Sequence, residues 1–197
     1  ALLGSVLLLA VTNHVCQVVA PFPFLWVAPL LLYLMTFVVC FEWERISTRI
    51  TPAAGLWGLL AMAAAATVIP PSRITDPGMF LWLGGMFGTC LYFHGELASR
   101  KPPARNLTLF YIVMAAGGAL GSFLVAFVAP VIFPSYWELP LVMLAAAALL
   151  FQRADASGDI AYYARSAMIV ATVPVAFALI FNPVTDSVDT GRNFYGI

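Results

Sequence analysis

Long apolar segments divided by short polar joints constrain this chain more than any other feature of its sequence. Its 197 residues include 9 Lys or Arg and 9 Asp or Glu, with a formal net charge of +0, and 62% of them are hydrophobic. Charged residues form about a quarter of a typical soluble chain and keep its surface in water. The composition therefore excludes a soluble globular enzyme, a disordered chain and, for lack of a basic excess, a nucleic-acid-binding protein.

About seven of the apolar segments approach the roughly 20 residues that a helix needs to cross a bilayer. Proline-containing joints such as Pro21-Phe22-Pro23 and Pro102-Pro103 interrupt the helical pattern between them. We therefore predict an all-α fold, a polytopic transmembrane helix bundle over 1–182, followed by a polar tail at 183–197. The predicted spans are 1–20, 24–42, 53–70, 78–98, 107–131, 137–152 and 164–182.

The cations are divided unequally between the two sides that seven spans would create. The N-terminus and the loops near 43–52, 98–106 and 152–164 share one side and hold seven cations, whereas the other side holds two. Cytoplasmic loops of membrane proteins are enriched in Lys and Arg, so these three loops are predicted to be cytoplasmic. The same count places the C-terminal tail outside, and an even number of spans would reverse that placement. The seven cations are Arg45, Arg49, Arg100, Lys101, Arg105, Arg153 and Arg165.

Two glycine-rich segments each place glycines four residues apart on one helix face. Gly84 and Gly88 form the first pair, and Gly117 and Gly121 form the second. In lipid, where the hydrophobic effect does not hold helices together, small residues allow backbones to approach and gain dispersion contacts. We predict helix packing within one bundle through these faces, with dimerisation through the same faces as the alternative.

Polar residues at membrane depth are candidate sites because ionisable groups are costly there. Asn13, His14 and Gln17 lie in the first predicted span, and Asn13 and Gln17 share a helix face. Hydrogen bonds to neighbouring helices, or a small wet cavity, are the first interpretation of these side chains. A ligand or transport site is the second, and a pigment or haem ligand is the third.

His94 and Glu96 lie near the cytoplasmic end of the fourth predicted span. Residues two apart on a regular helix point in different directions, so we do not expect a direct His–Glu pair. Glu96 is within reach of Arg100 at i+4, and the pair is expected to anchor the following loop. His14 and His94 would lie on the order of 15 Å apart in depth, which argues against one haem bound by both.

The remaining residues carry no recognisable chemistry. Cys16, Cys40 and Cys90 match no zinc or disulfide spacing and are interpreted as small buried apolar residues. No glycine-rich nucleotide loop, zinc motif or nucleophile motif occurs, so we predict no catalytic residue, no metal and no cofactor within the chain. Four tryptophans fall near span ends or faces, as interfacial anchors do. They are Trp26, Trp43, Trp57 and Trp82.

Several short segments, taken in order, resemble one membrane family. They are PFLWVAPLLLYLMTF at 23–37, HGEL at 94–97, LTLFY at 107–111, GGALG at 117–121, WELPL at 137–141 and RNFYGI at 192–197. Together they resemble bacterial multi-pass spermidine-synthase-like membrane proteins, in which a transporter-like bundle is fused to a polyamine aminopropyltransferase-like domain. The resemblance implies a bacterial inner-membrane location and a synthase-like domain after the RNFYGI segment, with the catalytic residues in that domain.

Three functions are consistent with these patterns. The first is the membrane-embedded scaffold or anchor half of a spermidine-synthase-like protein. The second is an accessory subunit of a larger respiratory or photosynthetic membrane complex. The third is a small-solute transporter, which ranks last because no internal repeat is evident. The expected partners are membrane lipid and either other membrane subunits or a second copy of the chain, and nucleic acid is not among them.

Overall fold

The computed structural model describes residues 1–19, 23–43, 50–67, 77–133 and 137–155, and every regular element in these residues is helical. The all-α prediction is therefore confirmed for this part of the chain. Six helices are described. They are α1 (Leu2–Val19), α2 (Pro23–Glu42), α3 (Thr51–Thr67), α4 (Pro77–Ala98), α5 (Ala104–Ile132) and α6 (Glu138–Asp155).

Helix α5 changes its winding along its length. A 3₁₀ turn at Ala104–Asn106 leads into a regular α-helical stretch, and a π-helical turn follows at Leu124–Val128. The Ala129 amide donates to the Leu124 carbonyl, five residues back. Pro130 explains the wider turn, because it has no amide hydrogen and its ring crowds the carbonyl four residues earlier.

Helix α1 lies at the centre of the described bundle, where it packs against α2, α4, α5 and α6. The most extensive packing between two helices is that of α3 against α4. Their directions are opposite, since Gly55 of α3 lies against Tyr92 of α4 while Met62 lies against Gly85. The core consists mainly of apolar side chains from α1, α3, α4 and α6, with Leu25 from α2, and includes Leu7, Val11, Met62, Trp82, Met86 and Met143.

Two helices have the length and composition to cross a membrane. Their apolar windows, Leu25–Glu42 and Ala104–Ile132, have mean hydropathies of 2.0 and 2.2, and only 22% and 17% of these windows is buried in the bundle. Leu2–Cys16 and Thr51–Ala66 are apolar but shorter. Seven spans are thus not confirmed: α4 is less apolar, α6 carries three charged residues, and 164–182 lies outside the described residues.

The described parts of the joints at 43–52, 98–106 and 152–164 lie at the same end of the bundle. Thr51, at the start of α3, lies against Gly95 near the end of α4. Glu96 of α4 forms an ion pair with Arg153 near the end of α6. We refer to this region as the charged end. The side of a membrane that it faces remains a prediction.

Candidate functional site

Four polar residues from three helices meet inside the bundle. Thr36 and His94 are 0% exposed, and Ser5 is buried beside them on α1. The Ser5 and Tyr33 hydroxyl oxygens are 3.5 Å apart, and Thr36 Oγ1 is 2.8 Å from His94 Nδ1. The Tyr33 ring packs edge-on against the imidazole with ring centroids 4.8 Å apart. We refer to these residues, Ser5, Tyr33, Thr36 and His94, as the buried polar cluster.

The hydrogen bonds of Thr36 assign the proton on His94. The Thr36 hydroxyl has one proton, and it donates that proton to the Tyr33 carbonyl at 2.7 Å. Its oxygen can then only accept from His94 Nδ1. In a neutral imidazole this arrangement puts the proton on Nδ1 and leaves Nε2 as an acceptor.

His94 Nε2 is covered by the start of α1. The atom is buried and has no hydrogen-bond partner among the described residues. A methyl group added at Gly4 would lie 3.4 Å from it, so the Gly4 backbone lies close to this side of the imidazole. The cluster can therefore accept one proton or one hydrogen bond at Nε2, in apolar surroundings where an unpaired polar atom is costly.

The candidate residues of the first span lie in a different part of the bundle. His14 packs against Trp82 with ring centroids 4.6 Å apart, and both His14 and Asn13 are half-buried. The side chain of Gln17 lies outside the described residues. Gly4 lies beside His94 and precedes His14 by ten residues, about 15 Å along α1. The structure therefore does not bring the two histidines together.

Trp82 differs from its predicted role as an interfacial anchor. Its side chain is fully buried in the core of the bundle, against His14. Trp26, Trp43 and Trp57, by contrast, are exposed. The anchor prediction is wrong for Trp82, because the packing of α1 against α4 encloses that face of α4.

Glu96 connects two segments at the charged end. Its Oε2 atom is 3.7 Å from Arg100 Nη2, the i+4 pair that the sequence predicts. Its Oε1 atom contacts Nη1 of Arg153, which joins α4 to α6. His94 does not take part, in agreement with the expectation that His94 and Glu96 point apart.

An open cavity of about 500 Å³ adjoins these ion pairs. Its polar wall includes a carboxylate, an amide and two guanidinium groups, and apolar side chains of α4 and α6 form part of the rest. We refer to this cavity as the charged pocket. The residues used to define it are Glu96, Leu97, Arg100, Leu149, Gln152 and Arg153.

Close glycine contacts hold α3 against α4, but on a face next to the predicted one. A Cβ atom at Gly85 would lie 2.7 Å from the Gly58 carbonyl oxygen, and one at Gly88 would lie 2.5 Å from the Ala54 carbonyl oxygen. Among the described residues, nothing lies within 4 Å of such an atom at Gly84. The packing therefore uses Gly85 and Gly88, three residues apart, while Gly84 is exposed.

The second glycine pair lies against the start of α1. A Cβ atom at Gly121 would be 2.6 Å from the Leu2 carbonyl oxygen, and one at Gly117 would be 3.5 Å from the Ala1 side chain. Gly118, between them, faces Ser5 of the buried polar cluster. The α5 glycines therefore let the backbones of α5 and α1 approach each other beside the cluster.

Several residues of these sites had no signal in the sequence. Thr36 and Tyr33 resemble any other residues of an apolar span, and their role depends on the placement of α2 beside α4. Arg153 is separated from Glu96 by more than fifty residues, so only the tertiary fold brings them together. A histidine in an apolar segment calls for a polar partner, but this rule does not say which residue supplies it.

Among the described residues, no group of three His, Cys, Asp or Glu side chains could hold a metal ion. No protein family, curated protein or solved structure matches this chain. The chemistry of the buried polar cluster and the charged pocket therefore rests on the geometry of these residues alone.

Proposed function

We propose that this chain is a membrane-embedded helical scaffold. The observation that carries the proposal is the exposure of large apolar side chains on α2 and α5, the two helices long and apolar enough to span a bilayer. Contiguous apolar surface of this extent is typical of protein that faces lipid or a partner. On α2 it includes Trp26, Leu31 and Val38, and on α5 it includes Leu109, Phe127 and Val131.

Membrane extraction tests this scaffold proposal. We expect the expressed chain to sediment with membranes, to remain there through an alkaline carbonate wash, and to leave them only in detergent. Such a wash releases proteins that are attached to the membrane surface by charge. It does not release helices whose apolar faces are buried in lipid, as we propose for α2 and α5. Release into the carbonate supernatant would contradict the proposal.

The sequence resemblance supports a more specific proposal, in which the bundle anchors a spermidine-synthase-like domain in a bacterial inner membrane. The segments at 23–37 and 107–121 that carry the resemblance belong to the two apolar helices, and RNFYGI at 192–197 would lead into the catalytic domain. Sequencing the gene beyond Ile197 tests this part. We expect an aminopropyltransferase-like domain there, and an unrelated domain or a stop codon would overturn it.

The accessory-subunit alternative makes a different prediction about partners. Purification in a mild detergent should yield the scaffold alone or with copies of itself. Constant co-purification with different membrane subunits, in fixed proportion, would favour the accessory role instead.

A further inference from the structure

We propose that the charged pocket binds the headgroup of an anionic phospholipid. The inference rests on the proposed membrane location and extends it to a defined lipid site. It starts from the two arginines of the pocket, Arg100 after the end of α4 and Arg153 near the end of α6.

Arg100 is the cation with spare binding capacity. Its side chain is 78% exposed, and its separation of 3.7 Å from Glu96 is that of a loose ion pair. Arg153 makes the closer contact with Glu96, whose side chain is only 18% exposed. Glu96 therefore neutralises and positions Arg153, while the guanidinium of Arg100 keeps donors free for a further anion.

The net charge of the pocket favours an anion. Two guanidinium groups and one carboxylate leave an excess of one positive charge, and Gln152 adds an uncharged amide that can donate. Arginine binds phosphate through paired N–H donors with matching geometry. Lys101, just before α5, and Arg105, in the first turn of α5, are both exposed and add to the positive potential there.

The rest of the pocket fits a lipid better than a free anion. Leu97 and Leu149 belong to its wall, so an apolar surface lies directly beside the guanidinium groups. The pocket is open, and Leu149 is itself exposed to the surroundings of the bundle. A phospholipid can place its phosphate on the arginines and its acyl chain on the leucines, and basic pockets between membrane helices bind anionic headgroups in this way.

Lipid titration of the purified full chain tests the proposal. Native mass spectrometry in a neutral detergent would measure binding of phosphatidylglycerol and of phosphatidylcholine to three forms: the original chain, Arg100→Gln and Lys101→Gln. We expect preferential binding of phosphatidylglycerol. Arg100→Gln should weaken that binding at least about fivefold, because it removes the paired, charge-assisted N–H donors that would contact the phosphate directly.

Lys101→Gln is the matched control, because it removes the same charge from the adjacent exposed residue, which is not among the residues lining the pocket. It should change binding less than twofold. Equal weakening by both substitutions, or equal binding of the two lipids, would overturn the proposal. Competition by inorganic phosphate at millimolar concentration would show a soluble-anion site and would also overturn it.

These outcomes are separate from a failure of the scaffold proposal. A chain that resists carbonate and requires detergent, yet does not distinguish phosphatidylglycerol from phosphatidylcholine, contradicts the lipid site only. A chain released by carbonate contradicts the membrane location on which both proposals depend.

Discussion

Thr36 determines which nitrogen of His94 carries a proton, because its single hydroxyl proton is already donated to the Tyr33 carbonyl. This makes the His94–Thr36 bond a buried polar contact between two helices, joining residues that are 58 apart in sequence. The histidine could be identified from the sequence as a polar group within an apolar segment, where burial is costly. Its partner could not, because a threonine in an apolar helix usually bonds to its own backbone, as Thr12 does to the Leu8 carbonyl.

Thr36→Val should destabilise the bundle by about 1–3 kcal/mol, since it keeps the side-chain shape but leaves the buried Nδ1–H of His94 without an acceptor. Unfolding in mixed detergent micelles would measure the change. Thr12→Val is the control, because that hydroxyl bonds only within α1, and it should cost well under 1 kcal/mol. Adding His94→Leu to Thr36→Val should recover part of the loss, since no unpaired donor remains; the absence of any recovery would contradict the hydrogen-bond assignment.

Arg153→Gln should destabilise the chain more than Arg100→Gln does. Arg153 joins α6 to a Glu96 carboxylate that is only 18% exposed, so its loss is expected to cost about 1 kcal/mol. Arg100 is largely exposed and makes a looser pair, so its loss in detergent without added lipid should be near zero. Unfolding at low and high salt would check this, and an equal effect of both substitutions would contradict the difference in geometry.

At the scale of the helices, the sequence predicts where along the chain each helix lies, but not which face of the helix packs against its neighbours. Predicted spans at 24–42 and 107–131 correspond to α2 and to most of α5. Proline-rich joints and apolar length are local signals, which explains this agreement. The packed face of α4 was placed one residue away, on Gly84 instead of Gly85, because a helix that is apolar on nearly every side has no polar stripe to indicate its orientation.

Gly88→Ala should therefore destabilise the bundle, whereas Gly84→Ala should not. The new methyl group at Gly88 would meet the Ala54 carbonyl oxygen at 2.5 Å and force α3 away from α4, costing about 1–3 kcal/mol. At Gly84 the methyl group meets none of the described residues, and the better helix propensity of alanine should leave stability unchanged or raise it by up to about 1 kcal/mol. Thermal unfolding of both variants in one detergent would measure the difference, and equal destabilisation would contradict the close α3–α4 approach.

For the whole molecule, the distribution of charge was the most informative part of the sequence. The described parts of the three joints that hold six of the nine Lys and Arg residues lie together at the charged end, although their contacts could not be listed in advance. Predicting which joints lie at the same end requires only the order of the apolar segments along the chain. Pairing Glu96 with Arg153, or closing a pocket between α4 and α6, needs the packing of distant helices and has no local signal.

Cysteine substitutions at the two ends of α4 would test whether that helix crosses the membrane. Lys101 follows its last turn and Pro77 begins its first, and 22 residues span about 33 Å, enough for the hydrocarbon core. In intact cells, a membrane-impermeant thiol reagent should label Pro77→Cys, and Lys101→Cys should react only after the membrane is opened. Reaction of both from the same side would show that α4 does not span and would require a different count of spans.

The glycine contacts between α3 and α4 also have a mechanical consequence. Backbone atoms of the two helices approach each other closely at Gly58, Gly85 and Gly88, and the Met62 side chain also packs against Gly85. Sliding or rotating one helix against the other would bring carbonyl oxygens into collision, so the two helices must move as one stiff body. Any rearrangement of the described helices therefore has to occur at other helix contacts, and the α3–α4 pair is the fixed frame for that motion.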